Sequence, residues 1–95
     1  MQLNDVVLSY KEEMVSQLCQ LISMPSLEAP ALPGQPFGAA MHSCLLHTLT
    51  LAQSLGFTRT KDVDGYAGYI EMGQGEEEIG ILVHLDVRRV DPAAV

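Results

Sequence analysis

The sequence predicts an α/β domain in which two N-terminal helices pack on a small sheet of about three strands. Three observations predict it. Up to Gly56, apolar residues recur every three or four positions, the spacing of one helix face. After Gly56 the period drops to two, the alternation of a strand. Between the two helical patterns lies a proline-rich stretch, Pro25 to Pro36, that neither helix nor interior strand tolerates. With 95 residues there is room for one small domain, in the size range where a core is small and stability thin.

The first helix is predicted over residues 3–22. Leu3, Val7, Tyr10, Met14, Leu18 and Leu21 form its stripe, and Lys11, Glu12, Glu13, Ser16, Gln17 and Gln20 fill the opposite side. Pro25 closes it, because the residue before a proline avoids helical angles. The segment "PSLEAPALPGQP" is a loop, and loops of this length are surface connections or functional elements. The second helix opens near Pro36, a residue suited to a first helical turn. Its stripe is Phe37, Met41, Cys44, Leu45, Leu49, Ala52 and Leu55, and Gly56 supplies the C-terminal stop. Then "FTRTKDV" and "YAGYIEM" read as two strands joined at Asp64-Gly65, a strong hairpin signal. After the polar turn "GQGEEE", the nearly continuous apolar run Ile79 to Val87 reads as a third strand, covered on both faces and therefore central.

Composition narrows the function classes. Apolar residues are 47% and charged residues 18%, which is globular rather than disordered. Five basic residues face twelve acidic ones, for a formal charge of -7. A phosphate-binding surface needs clustered Lys and Arg, so no nucleic acid partner is expected. No apolar run reaches the length of a membrane span, and the start has no basic region followed by an apolar stretch. The expected location is cytoplasmic, with no membrane partner. Cys19 and Cys44 have no C-x-x-C spacing and read as buried free thiols. His42 and His47, five apart on the second helix, lack the i,i+4 spacing of a helical metal pair.

The chemistry concentrates at the end of the third predicted strand, in "GILVHLDV". Residues two apart on a strand share a face, so His84 and Asp86 should project together, about 7 Å apart at the backbone. Leu85 and Val87 should point the other way. A neutral imidazole at a strand end is a good zinc ligand. A carboxylate beside it can take the other ring N–H, which fixes the tautomer and makes the ligand more basic. Taken alone, H-x-D has a plainer and commoner reading as a structural histidine satisfied within the fold. Proton transfer by a His/Asp pair would require a nucleophile. No G-x-S-x-G elbow, reactive-cysteine setting or phosphate-binding glycine loop is present.

The order of these features resembles a known family. "ISMPSLEAP" follows the first helix, "FGAAM" opens the second and "LAQSLGF" ends it, and "VDGYAGYIEMGQGEEEIGILVHLDV" completes the run. Over roughly residues 5–87 this is similar to the N-terminal part of the zinc metallopeptidases that include carnosinases, aminoacylases and glutamate carboxypeptidases. It looks closest to the bacterial PepV-like (Xaa-His) dipeptidases. The resemblance implies a di-zinc hydrolase that cleaves dipeptides with a metal-bound water. It implies that His84 is a ligand to one Zn2+ and that Asp86 supports that ligand and belongs to the catalytic apparatus.

The resemblance also bounds what this chain can do. The other ligands and the general-base glutamate of the family lie downstream of H-x-D, and "RRVDPAAV" departs from the usual continuation. Residues 1–95 are therefore expected to be an N-terminal fragment of a zinc-dependent peptidase catalytic domain, inactive alone, with zinc binding by the fragment itself in doubt. The alternative is a non-catalytic α/β module for association or regulation. An exposed sheet edge would invite strand addition and a homo-oligomer.

Overall fold

A computed structural model describes residues 2–87. The architecture is mixed α/β, as the sequence predicts, with helices α1 (Leu3–Ser9), α2 (Lys11–Ser23) and α3 (Ala39–Ser54) followed by strands β1 (Arg59–Val63) and β2 (Ala67–Glu71). The predicted first helix is thus two. Tyr10 (φ -100°, ψ 5°) ends α1 and serves as the N-cap of α2. Its backbone bridges the break, since Tyr10 N donates to Val7 O and Met14 N donates to Tyr10 O. Met24 then turns extended (φ -76°, ψ 132°), the conformation that Pro25 imposes on its predecessor.

The proline-rich stretch is an ordered loop. Leu32 and Gln35 exchange both backbone hydrogen bonds at 3.0 and 2.9 Å, and Ala29 N donates to Phe37 O at 2.9 Å. This turn delays α3 to Ala39, three residues beyond Pro36. At its other end α3 finishes in a Schellman motif. Phe57 N donates to Ala52 O and Gly56 N to Gln53 O, both at 3.1 Å, around Gly56 at φ 105°. Gly56 is the stop that the sequence predicts, because a left-handed residue is required there.

The strands pair antiparallel, with Arg59 opposite Glu71 and Val63 opposite Ala67. Asp64 and Gly65 both take positive φ, 54° and 78°, and Tyr66 N donates to Val63 O. The Asp62 carboxylate accepts the Gly65 N–H at 2.7 Å and holds the turn. The hairpin packs on α3: an added Cβ at Gly68 would lie 2.9 Å from Leu45 Cδ1, and Gln53 Nε2 donates to Thr60 Oγ1 at 2.8 Å. Its tip meets the loop through an edge-to-face pair of Phe37 and Tyr66, with ring centroids 5.8 Å apart.

The core sits under α3, where Cys44, Leu49 and Ala52 are buried. Two expectations change here. The stripe on α1 and α2 is uncovered, with no buried residue on either helix and Cys19 exposed rather than buried. And Ile79–Val87, predicted as a central strand, has no ladder partner among the described residues. Ile79 is 95% exposed and Leu82 fully exposed. An apolar run becomes a central strand only where neighbouring strands and layers cover it, and the described residues supply none. No helix among them is long and apolar enough to cross a membrane.

Candidate functional site

The site is built from two segments far apart in sequence. The first is the turn after α2, where Met24-Pro25-Ser26 folds tightly and Ser26 N donates to Met24 O at 2.8 Å. The second is the end of the apolar run, residues 84–87. Ser26 joins them. Its carbonyl accepts the Val87 N–H at 3.1 Å, and its hydroxyl donates to Leu85 O at 3.0 Å. In a parallel bridge, one residue bonds by N–H and C=O to the residues flanking its partner. Ser26 has committed its own N–H to the turn, so its hydroxyl stands in. The flanked residue is Asp86.

The period of two holds over these four residues. Leu85 and Val87 are half-buried, while His84 and Asp86 are exposed. His84 Nδ1 lies 3.0 Å from Asp86 Oδ1, with side chains 84% and 60% accessible. The sequence-predicted pair is therefore brought together on one side of the chain. At that separation the carboxylate favours the tautomer with the proton on Nδ1, which leaves the Nε2 lone pair free toward solvent. Such an arrangement can present one neutral nitrogen to a metal ion. At this exposure the contact itself contributes little to stability.

The pair sits at the rim of an apolar groove. Met41, Leu45 and Leu49 of α3 lie along it, β2 forms one wall through Gly68 and Ile70, and residues 82–86 form the other. The groove thus has unpaired strand backbone on one side and the H-x-D pair on the other.

The donor set for a metal is incomplete. Among the described residues, no group of three His, Cys, Asp or Glu side chains is placed to share a metal ion, and a catalytic zinc needs about three protein ligands. The Nε2 atom of His84 suits one of those positions. His42 and His47 lie half-buried on α3, where His42 Nδ1 and His47 Nε2 are buried without a hydrogen-bond partner. Glu76, Glu77 and Glu78 are exposed, as a solvated turn should be. Arg88 and Arg89 lie outside the described residues.

Reading the sequence found His84 and Asp86 but gave Ser26 no role. Ser26 is wholly inaccessible and is the one buried polar side chain among the described residues. A serine after a proline at a helix end is an ordinary turn residue, so only its distant partners, 59 and 61 positions away, set it apart.

Comparison with known proteins links the chain to peptidases. It is 40% identical over 83 residues to the Bacillus subtilis protein named "Putative dipeptidase YtjP", and 39% identical over the same length to a Staphylococcus epidermidis protein named "Putative dipeptidase". Each match covers 85% of this chain and 18% of the relative. The chain thus spans less than a fifth of the length of the curated relatives it matches. No family model matches it, and no solved structure does.

Proposed function

We propose that this chain is the segment of a zinc-dependent dipeptidase that carries the first metal-binding histidine, with His84 as the ligand and Asp86 as the group that orients it. The observation that carries the reading is the 3.0 Å approach of Asp86 Oδ1 to His84 Nδ1, on an exposed segment. It leaves Nε2 available and fixes the ring, which is what a ligand histidine requires. Similarity to proteins named as putative dipeptidases supports dipeptides as the substrate class.

Zinc bound there would polarise a carbonyl and lower the pKa of a bound water. The residues of this chain would hold and orient one ligand and contribute the apolar wall beside it. The described residues do not complete the donor set, so the chain alone should not hydrolyse dipeptides. Its expected location is the cytoplasm, where dipeptides and reduced thiols coexist.

The test is complementation. The B. subtilis relative, shortened by the portion that this chain matches, is mixed with the 95-residue chain and zinc. Dipeptide hydrolysis should appear with the wild-type chain and be lost at least about a hundredfold with His84→Gln, the scale on which metal-site mutations act. Equal hydrolysis by the His84→Gln mixture, or turnover by either half alone, would refute the reading.

A second reading is favoured by a different observation. The groove between β2 and residues 82–86 is open and mostly apolar, β2 pairs only with β1 among the described residues, and unpaired strand edges recruit other strands. On that reading the chain is a non-catalytic module that associates through its sheet edge, with another copy of itself as the simplest partner.

A further inference from the structure

We infer that Ser26 is the positioning residue of the His84–Asp86 pair: its hydroxyl and its carbonyl clamp the backbone on both sides of Asp86, and so hold that carboxylate against the imidazole. The inference rests on the reading of His84 as a ligand for its purpose, but not for its geometry.

Four observations carry it. Ser26 O accepts from Val87 N at 3.1 Å and Ser26 Oγ donates to Leu85 O at 3.0 Å, so the two contacts straddle Asp86. Among the described residues these are the hydrogen bonds that tie residues 79–87 to the rest of the chain. Upstream of the clamp, Ile79, Ile81, Leu82 and Val83 are largely exposed, so packing does little to hold that part. Finally, the serine is inaccessible while its partners Leu85 and Val87 are half-buried, and a buried hydroxyl needs a hydrogen-bond partner.

The chemistry needs such a clamp. An exposed His/Asp contact is weak by itself, because both side chains give up rotamer freedom to make it. With the Asp86 backbone fixed on both sides, the carboxylate is presented to Nδ1 with less freedom left to lose. A serine suits this place because the backbone N–H that a parallel bridge would use is already bonded to Met24 O. Alanine at position 26 would keep the carbonyl half of the clamp and lose the hydroxyl half.

The experiment reads the ring nitrogens of His84 by ¹⁵N NMR of the full 95-residue chain at mildly alkaline pH. His84→Gln assigns the signals. The wild-type ratio of Nδ1–H to Nε2–H tautomer should exceed, several-fold, the ratio of the same sample unfolded in urea. In Ser26→Ala it should fall at least twofold toward the urea value, while the signals of Leu45, Leu49 and Gly68 stay in place. Ser26→Cys, similar in shape and a weak donor, should recover part of the wild-type ratio. A Ser26→Ala chain that keeps the wild-type ratio overturns the proposal. So does one that loses the α3–hairpin signals together with the tautomer preference, since Ser26 would then be a general structural residue. The complementation assay separates the two ideas. If the His84→Gln mixture hydrolyses dipeptide as fast as wild type while Ser26→Ala still shifts the tautomer, the ligand reading fails and the clamp stands.

Discussion

At the scale of single residues, the fold relies on a few backbone positions with little room to vary. Gly65 is the clearest. Its φ is 78°, and an added Cβ would fall 2.6 Å from Gly34 O and 2.9 Å from Pro36 Cδ. Both obstacles are stiff, one being backbone and the other a proline ring. Gly65→Ala should therefore destabilise the chain by about 1–3 kcal/mol, from a strained φ and a displaced loop. Gly80→Ala is the control, since its Cβ meets nothing within 4 Å, and should stay within about 0.5 kcal/mol of wild type. Urea unfolding followed by circular dichroism checks both. Equal effects at the two positions would remove the account of the hairpin tip.

At the scale of elements, the helices divide into one that is used and two that are not. α3 carries the buried apolar residues and receives the hairpin on one side. Helices α1 and α2 have a clear amphipathic pattern whose apolar face is open, with Leu18 54% exposed. The difference should appear in mutagenesis. Leu49→Ala should cost about 2–4 kcal/mol, as truncations in a core do. Leu18→Lys should cost no more than about 0.5 kcal/mol, because no packing is lost. If Leu18→Lys costs as much as Leu49→Ala, the face of α2 is covered in solution.

At the scale of the whole molecule, the chain leaves much of its apolar surface unburied. Its accessible surface is 8162 Å², whereas a folded chain of this mass has roughly 5,400 Å² by the usual scaling. Its radius of gyration is 15.9 Å, against about 12 Å for a compact domain of this length. Ile79, Ile81 and Leu82 are among the large apolar side chains left exposed, and contiguous exposed apolar patches mark interaction sites. The open groove beside β2 adds unpaired strand backbone to it. Association in concentrated solution is the expected outcome, with the light-scattering mass rising above 10.3 kDa as concentration increases. A constant monomer mass across the range would count against the association module and leave the dipeptidase reading untouched. Dimers that dissolve when the complementing half of the relative is added would favour the dipeptidase reading.

Local signals in the sequence decided most of the elements. Pro25 ended a helix, Gly56 capped one, and Asp64-Gly65 turned a hairpin, because each acts through backbone angles that its neighbours cannot override. The break at Tyr10 left no such mark, since no glycine or proline stands there. The H-x-D pair was legible because a period of two is a property of the chain itself. Burial was legible only on the second predicted helix, whose stripe residues Cys44, Leu49 and Ala52 are buried. The apolar runs at Leu3–Ile22 and Ile79–Val87 promised covered faces, and pattern records only what a segment would bury if something lay against it. Ser26 was the other thing that only the tertiary structure could decide. A hydrogen bond between residues 26 and 85 follows from how the chain returns on itself, and no local pattern encodes that return.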